Sequence, residues 1–421
     1  MDIYKSKYEK YKTKYLTLKL ALKSANGGAG EQQPKPTLIG NQNFTRVLMP
    51  FTFQYMTIRE IYNTCITNSQ TCIGISWSTV LENNGIPHEN VIVTQKDKDE
   101  FGKFCPISKD TDEIRKQQDY CIIFFKYIKK LKRTDDDIHN AVYHWEYDKE
   151  YVIEIYGHIR DWDTSAVTNM ANLFKLKSEF NEDLSSWDVS SVTDMSYMFY
   201  YANFFESDLS SWDTGNVRDM TMMFWDARNF TSDLSKWNVS SVRNMKSMFN
   251  DATNFNGDLS QWNVSNVTNM EGMFQHATSF KSDLSQWNVS SVTDMRYMFH
   301  NAKSFTSDLS SWKTGNVRDM HAMFFRATSF TSDLSSWNVN RVTDMRSMFS
   351  GAASFTSDLS SWNVRNVTDM TSMFSGATSF TSDLSSWNVR NGTKYVSITS
   401  MFDNTPAMLV KPVWYPVRYI K

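Results

Sequence analysis

At 421 residues the chain has room for two or three domains, and a net charge of −2 gives no field that would make nucleic acid its main partner. No stretch approaches the ~18 consecutive apolar residues of a spanning helix, so no membrane span is expected. Hydrophobic residues make up an ordinary 41%, but 14 Trp, 28 Phe and 23 Met against 8 Pro is the skew a repeated unit leaves, because each copy uses the same core residues again.

Taken in chain order, residues 1–25 form a leader in which Tyr4, Tyr8, Tyr11, Tyr15, Leu18 and Leu22 alternate at steps of four and three. That is the seam of an amphipathic helix or short coiled coil, suited to self-association or attachment. The leader has no apolar core or small-residue cleavage site, so it does not read as a signal peptide. Residues 26–40, with Asn26-Gly27-Gly28-Ala29-Gly30 and then Pro34 and Pro36, make a linker. Residues 41–133 read as a small α+β domain of unassigned role, with Cys121 to Phe125 as a buried strand. It carries all four cysteines, Cys65, Cys72, Cys105 and Cys121, without metal-binding spacing. Residues 134–157 carry helical patterns around Ile138, Val142 and Trp145 and then Tyr151 to Tyr156, placed to cap the first apolar layer of a downstream array.

From residue 158 to 402 one unit recurs. Tryptophan stands at 162, 187, 212, 237, 262, 287, 312, 337, 362 and 387, always 25 residues apart, and Met170 to Met370 and Phe174 to Phe374 keep the same step. Such a period belongs to a solenoid whose coils stack. In the copy from Asp183 to Phe205, the spacing of Leu184, Trp187, Val189 and Val192 predicts a short strand with Ser186, Asp188 and Ser190 pointing outward. Met195, Met198, Phe199 and Ala202 at i, i+3, i+4 and i+7 predict a two-turn helix, capped by Thr193 or Asp194. The expected class is an α/β repeat with one strand and one helix per coil. Residues 403–421 would close it as a C-terminal cap.

The recurring text Asp-Leu-Ser-x-Trp-Asn/Asp-Val-x-x-Val-Thr-Asp-Met-x-x-Met-Phe-x-x-Ala-x-x-Phe resembles the BspA-like leucine-rich repeat family, in its "bacterial surface protein" branch, also known as a mycoplasma repeat of unknown function. The resemblance spans about Gly157 to Phe402 and implies a right-handed leucine-rich-repeat-like solenoid that serves in surface attachment or protein binding, with no catalytic residues. The leader is similar to the Tyr/Lys-rich leaders of giant DNA virus proteins of the mimivirus kind. That similarity implies a place in a viral particle or host cytoplasm, with the cell surface as the alternative, and makes Gly27-Gly28-Ala29 a candidate cleavage site.

The tryptophan column Trp187, Trp212, Trp237, Trp262, Trp287, Trp312, Trp337 and Trp362 reads as structural core, because it holds a leucine position, in preference to a carbohydrate-stacking platform. The column Asp183, Asp208, Asp233 and onward to Asp383 reads as turn hydrogen bonding, since one carboxylate per coil falls far short of a calcium ligand set. Sequons such as Asn238-Val-Ser and Asn266-Val-Thr follow from the consensus and mean glycosylation only in a secretory pathway. His276, His300 and His321 share no column, and no Ser/His/Asp order, HExxH or phosphate-cradling loop stands out, so neither catalysis nor a metal or other cofactor is expected.

The candidate partner face is the outward strand positions. Asp163, Asp188 and Asp213 would give an acidic N-terminal third, and Lys313, Arg341, Arg365 and Arg390 a basic C-terminal part, facing a polar protein or a surface glycan. The expected function is a non-enzymatic interaction scaffold. Two alternatives stand beside it: an enzymatic or regulatory domain in residues 41–133 targeted by the solenoid, and a purely structural virion component.

Overall fold

The computed structural model describes residues 132–391 and 394–415. The expectations for the leader, the linker, the four cysteines and residues 41–131 lie outside them. The described chain begins with strand β1 (Lys132–Thr134), followed by helices α1 (Ile138–Tyr147) and α2 (Lys149–Tyr156). In α1 the residues Ile138, Ala141, Val142 and Trp145 fall on one face and are buried. Asp148 caps α2 by accepting the Tyr151 N–H at 3.0 Å, and Gly157, at φ 76°, ends it where a side chain would be strained. Strand β1 pairs in parallel with β2 (Asp163–Ala166), the start of the first coil. Asp135 then accepts the Thr168 and Asn169 N–H groups at 2.8 and 3.0 Å, standing in for the coil that later repeats find before them. Burial raises the Asp135 pKa, but a hydrogen bond from the Thr168 hydroxyl at 2.6 Å and these two backbone bonds outweigh it and leave it below the usual carboxylate value. Lys149 pairs with Glu182, and Lys177 with Glu146, holding the helices to the first coil.

The rest of the array is a solenoid built from turns. No coil in the described residues contains an α-helix, and the Leu184 to Val192 segment is not a strand. Both expectations for the repeat unit are corrected here. Leu184 to Trp187 and Val189 to Val192 each close an i→i+3 turn, at 3.0 and 2.9 Å, so the apolar spacing is produced by two corners and not by a pleat. In the segment expected to be helical, the N–H groups of Met195, Tyr197, Phe199 and Tyr201 donate to the next coil, at Asp219, Thr221, Met223 and Trp225, over 2.7 to 3.0 Å. The alternate N–H groups of Met198, Tyr200 and Ala202 close i→i+3 turns within the coil. No donor is left for an i→i+4 ladder. Tyr197 and Tyr201 also take φ values of 58° and 60°, which a right-handed helix forbids. The same two registers are left-handed in every coil, from Asn172 and Leu176 to Ser372 and Gly376. Isolated parallel bridges run down this segment from Asn169 and Asp194 to Asp369 and Ser397.

The core lies inside the coils as stacked columns. Trp212 and Trp237 stack at 6.2 Å and 5°, Phe199 and Phe224 at 5.5 Å and 3°, and within a coil Phe199 lies 4.0 Å from Phe205. The tryptophan column is core throughout: Trp187, Trp212, Trp237, Trp262, Trp287, Trp312, Trp337 and Trp362 are all buried. Trp262 stacks on Trp287 at 6.4 Å, Trp287 on Trp312 at 6.5 Å and Trp312 on Trp337 at 6.1 Å, each within 4° of parallel. Each indole also finds a hydrogen-bond acceptor in the coil before it, as Trp212 Nε1 does at the Leu184 carbonyl over 3.1 Å and Trp337 Nε1 at the Leu309 carbonyl over 2.9 Å. A ring closed in by its neighbours above and below, with its one polar atom engaged inside, offers no face for a sugar. The aspartate column makes turns: Asp183, Asp208, Asp233 and their successors each accept the N–H two residues on, at 2.9 Å in Asp208 to Ser210. A serine of the following coil completes the corner, Ser232 Oγ accepting the Leu209 N–H at 2.8 Å.

Near the C-terminal end a short hairpin, β3 (Arg390–Asn391) with β4 (Lys394–Tyr395), lengthens one coil, so that Asp369 pairs with Ser397. Beyond it Trp414 stacks on Trp387 at 6.4 Å and 3° and donates to the Leu384 carbonyl at 2.8 Å. The segment expected as a cap thus supplies one more member of the tryptophan column.

Candidate partner-binding face

Two surfaces compete for the role. The first holds the residues chosen from sequence: the structure places Asp188, Asp213, Lys313, Arg341 and Arg365 on a corner of their coils instead of on a strand, whereas Asp163 opens β2 and Arg390 opens β3. Asp163, Asp188 and Asp213 accept the N–H of Ser165, Ser190 and Gly215, each at 3.1 Å, and the first two also take the serine hydroxyl at 2.6 Å. Asn238, Asn263 and Asn288 do the same with an amide oxygen, so the exchange of Asp for Asn keeps the turn and the charge is incidental to it. Lys313 is exposed in that register. Arg341 donates to Asn316 of the coil before at 2.7 Å, Arg365 is exposed, and the Arg390 side chain lies outside the described residues.

The second surface is the outer side of the ladder. With Met195, Met198, Phe199 and Ala202 buried, residues 196, 197, 200 and 201 of each coil lie on the side away from the core, and their chemistry changes from coil to coil. Between residues 158 and 391 seven aromatic residues stand outside the core columns, and six of them fall here: Tyr197, Tyr200, Tyr201, Trp225, Tyr297 and Phe325, with Phe204 just beside. His276, His300 and His321 are here too.

These side chains touch one another. Lys175 Nζ sits 4.8 and 5.4 Å from the centroids of Tyr197 and Tyr200, and Tyr200 packs on Tyr201 at 4.7 Å and on Trp225 at 5.7 Å. Leu176 and Phe204 are exposed nearby. Further along, His300 lies 5.1 Å from His276, stacks on Phe325 at 4.6 Å and 9°, and meets Tyr297, which in turn reaches His321 at 4.8 Å. Arg326 covers the Phe325 ring at 5.2 Å. Histidines in three different registers therefore meet, because a residue's neighbours in the next coil include more than its own column.

A family model described as "Mycoplasma protein of unknown function, DUF285" matches residues 148–261, 229–334 and 304–412, together more than half of the chain. The chain belongs to this family. No curated protein and no solved structure matches it. Each of the three DUF285 matches spans more than four coils, so the family unit is a stack and not a single turn. The DUF285 match covers the array and bears neither on the leader nor on a viral source.

Within the DUF285 array the electrostatics of the outer ladder are local. Burial pushes the His300 imidazole down to about 4, with His276 next in effect, and its Nδ1 is buried without a hydrogen-bond partner. It is neutral at neutral pH. Burial also lowers His321. Glu271 receives both Lys246 at 2.9 Å and Arg296 at 3.0 Å, and Asp251 holds His276 at 3.0 Å. Among the described residues no cluster of three His, Cys, Asp or Glu could hold a metal ion, and no helix is long and apolar enough to cross a membrane.

Sequence reasoning misses the ladder face because its inner residues fit a helix, which leaves the opposite positions without a role. The signal is present as variation: columns 196, 197, 200 and 201 change type while the flanking columns repeat.

Proposed function

We propose that this chain is a non-enzymatic repeat scaffold that binds a protein partner across the outer ladder face. One observation carries the reading. In an array whose core columns repeat nearly unchanged, six of the seven aromatic residues outside the core, together with His276, His300 and His321, are gathered on one face. Tyr, Trp and Arg are the residues that most often anchor protein interfaces, and rigid aromatics among Ser, Gly and Asn are the composition of evolved binding surfaces. The coils behind supply a stiff support, which lowers the entropy lost on binding.

The test uses the full chain and a variant with Tyr200→Ala, Trp225→Ala and Phe325→Ala, beside a control with Asp213→Asn on the corner surface. Affinity capture should recover a specific partner with the wild type and the control and lose it with the triple variant, whose fold is checked by circular dichroism. Retention of the partner by the triple variant would rule out this face.

A further inference from the structure

The ladder face carries charges of both signs, and their pairing is unequal. Between residues 158 and 391 its acids in columns 196, 197, 200 and 201 are Asp226, Asp251 and Glu271. All are engaged: Asp226 by Arg228 at 2.8 Å, Asp251 by His276, and Glu271 by Lys246 and Arg296. The basic residues of these columns are Lys175, Lys246, Arg296, Arg326 and Arg346. Three of them are in ion pairs, Arg346 with Asp344 at 2.7 Å. Lys175 and Arg326 have no ion pair among the described residues. Both are exposed, and both lie over aromatic rings. An aromatic face holds a cation in place without neutralising it, so each remains able to receive an anion.

We propose that the ladder face takes an acidic protein segment, with Lys175 and Arg326 each receiving a carboxylate of the partner beside an aromatic contact. This rests on the assignment of the ladder face as the binding surface. The two cations are six coils apart, and at about 4.8 Å per coil they are separated by roughly 29 Å. A partner with discrete acidic side chains, flanked by apolar ones for Tyr200, Tyr201, Trp225 and Phe325, fits that layout. A polyanion fits it poorly. Nucleic acid carries a charge at every nucleotide and would lie against the carboxylates between the two cations, and His300 adds no charge there at neutral pH.

The experiment presents a displayed library of random short peptides to the full-length chain and sequences the pool before and after selection, with poly(U) RNA and heparin as competing probes. The enriched peptides should combine Asp or Glu with aromatic or aliphatic residues. Reversal of both cations, Lys175→Glu with Arg326→Glu, should weaken the best peptide by about tenfold or more and reduce the salt dependence of its affinity. The same reversal at Lys313, on the corner surface, should leave binding unchanged. The proposal is overturned if the enriched peptides carry no excess of acid, or if poly(U) or heparin binds more tightly than any peptide at matched salt. If charge reversal has no effect while the Tyr200, Trp225 and Phe325 variant loses binding, the face stands and its acidic preference falls. If no peptide is enriched, both fall. Circular dichroism of each variant separates these outcomes from misfolding.

Discussion

Ser332→Ala isolates the corner that joins one coil to the next. Ser332 Oγ accepts the Leu309 N–H at 2.8 Å and donates to Asp308 Oδ1 at 3.1 Å, and both Leu309 and Ser332 are buried. Alanine removes the acceptor and leaves a buried N–H unsatisfied, which costs roughly 1–3 kcal/mol. Hydrogen exchange resolved to single amides is the appropriate assay, because a stack of near-identical coils opens locally and a global melt would average the effect. Exchange at Leu309 should accelerate by about five- to 150-fold, the range that cost implies, with little change several coils away. The wild-type chain holds its own comparison. Gly257 occupies the serine register, offers no hydroxyl to Leu234, and has Phe255 ring atoms 3.0 Å from where a Cβ would lie. The Leu234 amide should therefore exchange faster than Leu259, whose N–H is held by Ser282 at 2.8 Å. Equal rates at Leu234 and Leu259, with Leu309 unchanged in the alanine variant, would show that the serine column does not hold the stack together.

Phe274→Ala should cost about 3–5 kcal/mol, because the ring is fully buried and stacks on Phe249, Phe280 and Phe299; denaturant unfolding followed by Trp emission would reveal a split transition or an early one. Trp414→Ala should fray the C-terminal end, exposing Trp387 and leaving the Leu384 carbonyl unpaired, seen as faster exchange in the last coils and none in the first. Backbone and side-chain hydrogen bonds from serine hold Asp208, Asp233, Asp283, Asp308, Asp333 and Asp358 below the usual carboxylate value. A lowered folded value stabilises fully above the unfolded pKa, and that gain is lost as pH falls through the folded one, so the melting temperature should drop below about pH 4. An unchanged melting temperature from neutral pH down to that region and below would count against it. His300 should titrate near 4 by NMR, while burial of its neutral form removes stability as pH falls from the ordinary histidine value toward that midpoint.

The period, the buried columns and the aspartate turns were legible in the residues, because each depends on side-chain type at a fixed step. Backbone conformation was not. Met195, Met198, Phe199 and Ala202 satisfy a helix and a chain of overlapping turns equally well, since both return to the same side after three and four residues. The choice between them turns on whether the Tyr197 N–H finds Thr221 in another coil, and that lies 24 residues beyond any local pattern. The corner residues mislead for a related reason. Asp188 looks like an outward strand position only if a strand is assumed, and its variation with Asn is what a turn acceptor permits. His276, His300 and His321 share no column and so carry no joint signal in the sequence, whereas their rings meet through Tyr297 and across neighbouring coils.

The ladder also gives the array an electrical direction. In a parallel sheet the bonds of adjacent residues alternate in sense, so strand dipoles largely cancel. Here Met195, Tyr197, Phe199 and Tyr201 all point their N–H groups toward the following coil, while Thr193 and Phe204, on either side of this run, donate back to Thr168 and Ser178. The partial charges therefore add along the stack much as they do along a helix. One terminus becomes a rank of carbonyl acceptors, and His139 already reaches one of them, at Ala171, over 3.0 Å. The other becomes a rank of donors. The two ends are not interchangeable, and any further coil, in this chain or in another copy, can join the stack only head to tail.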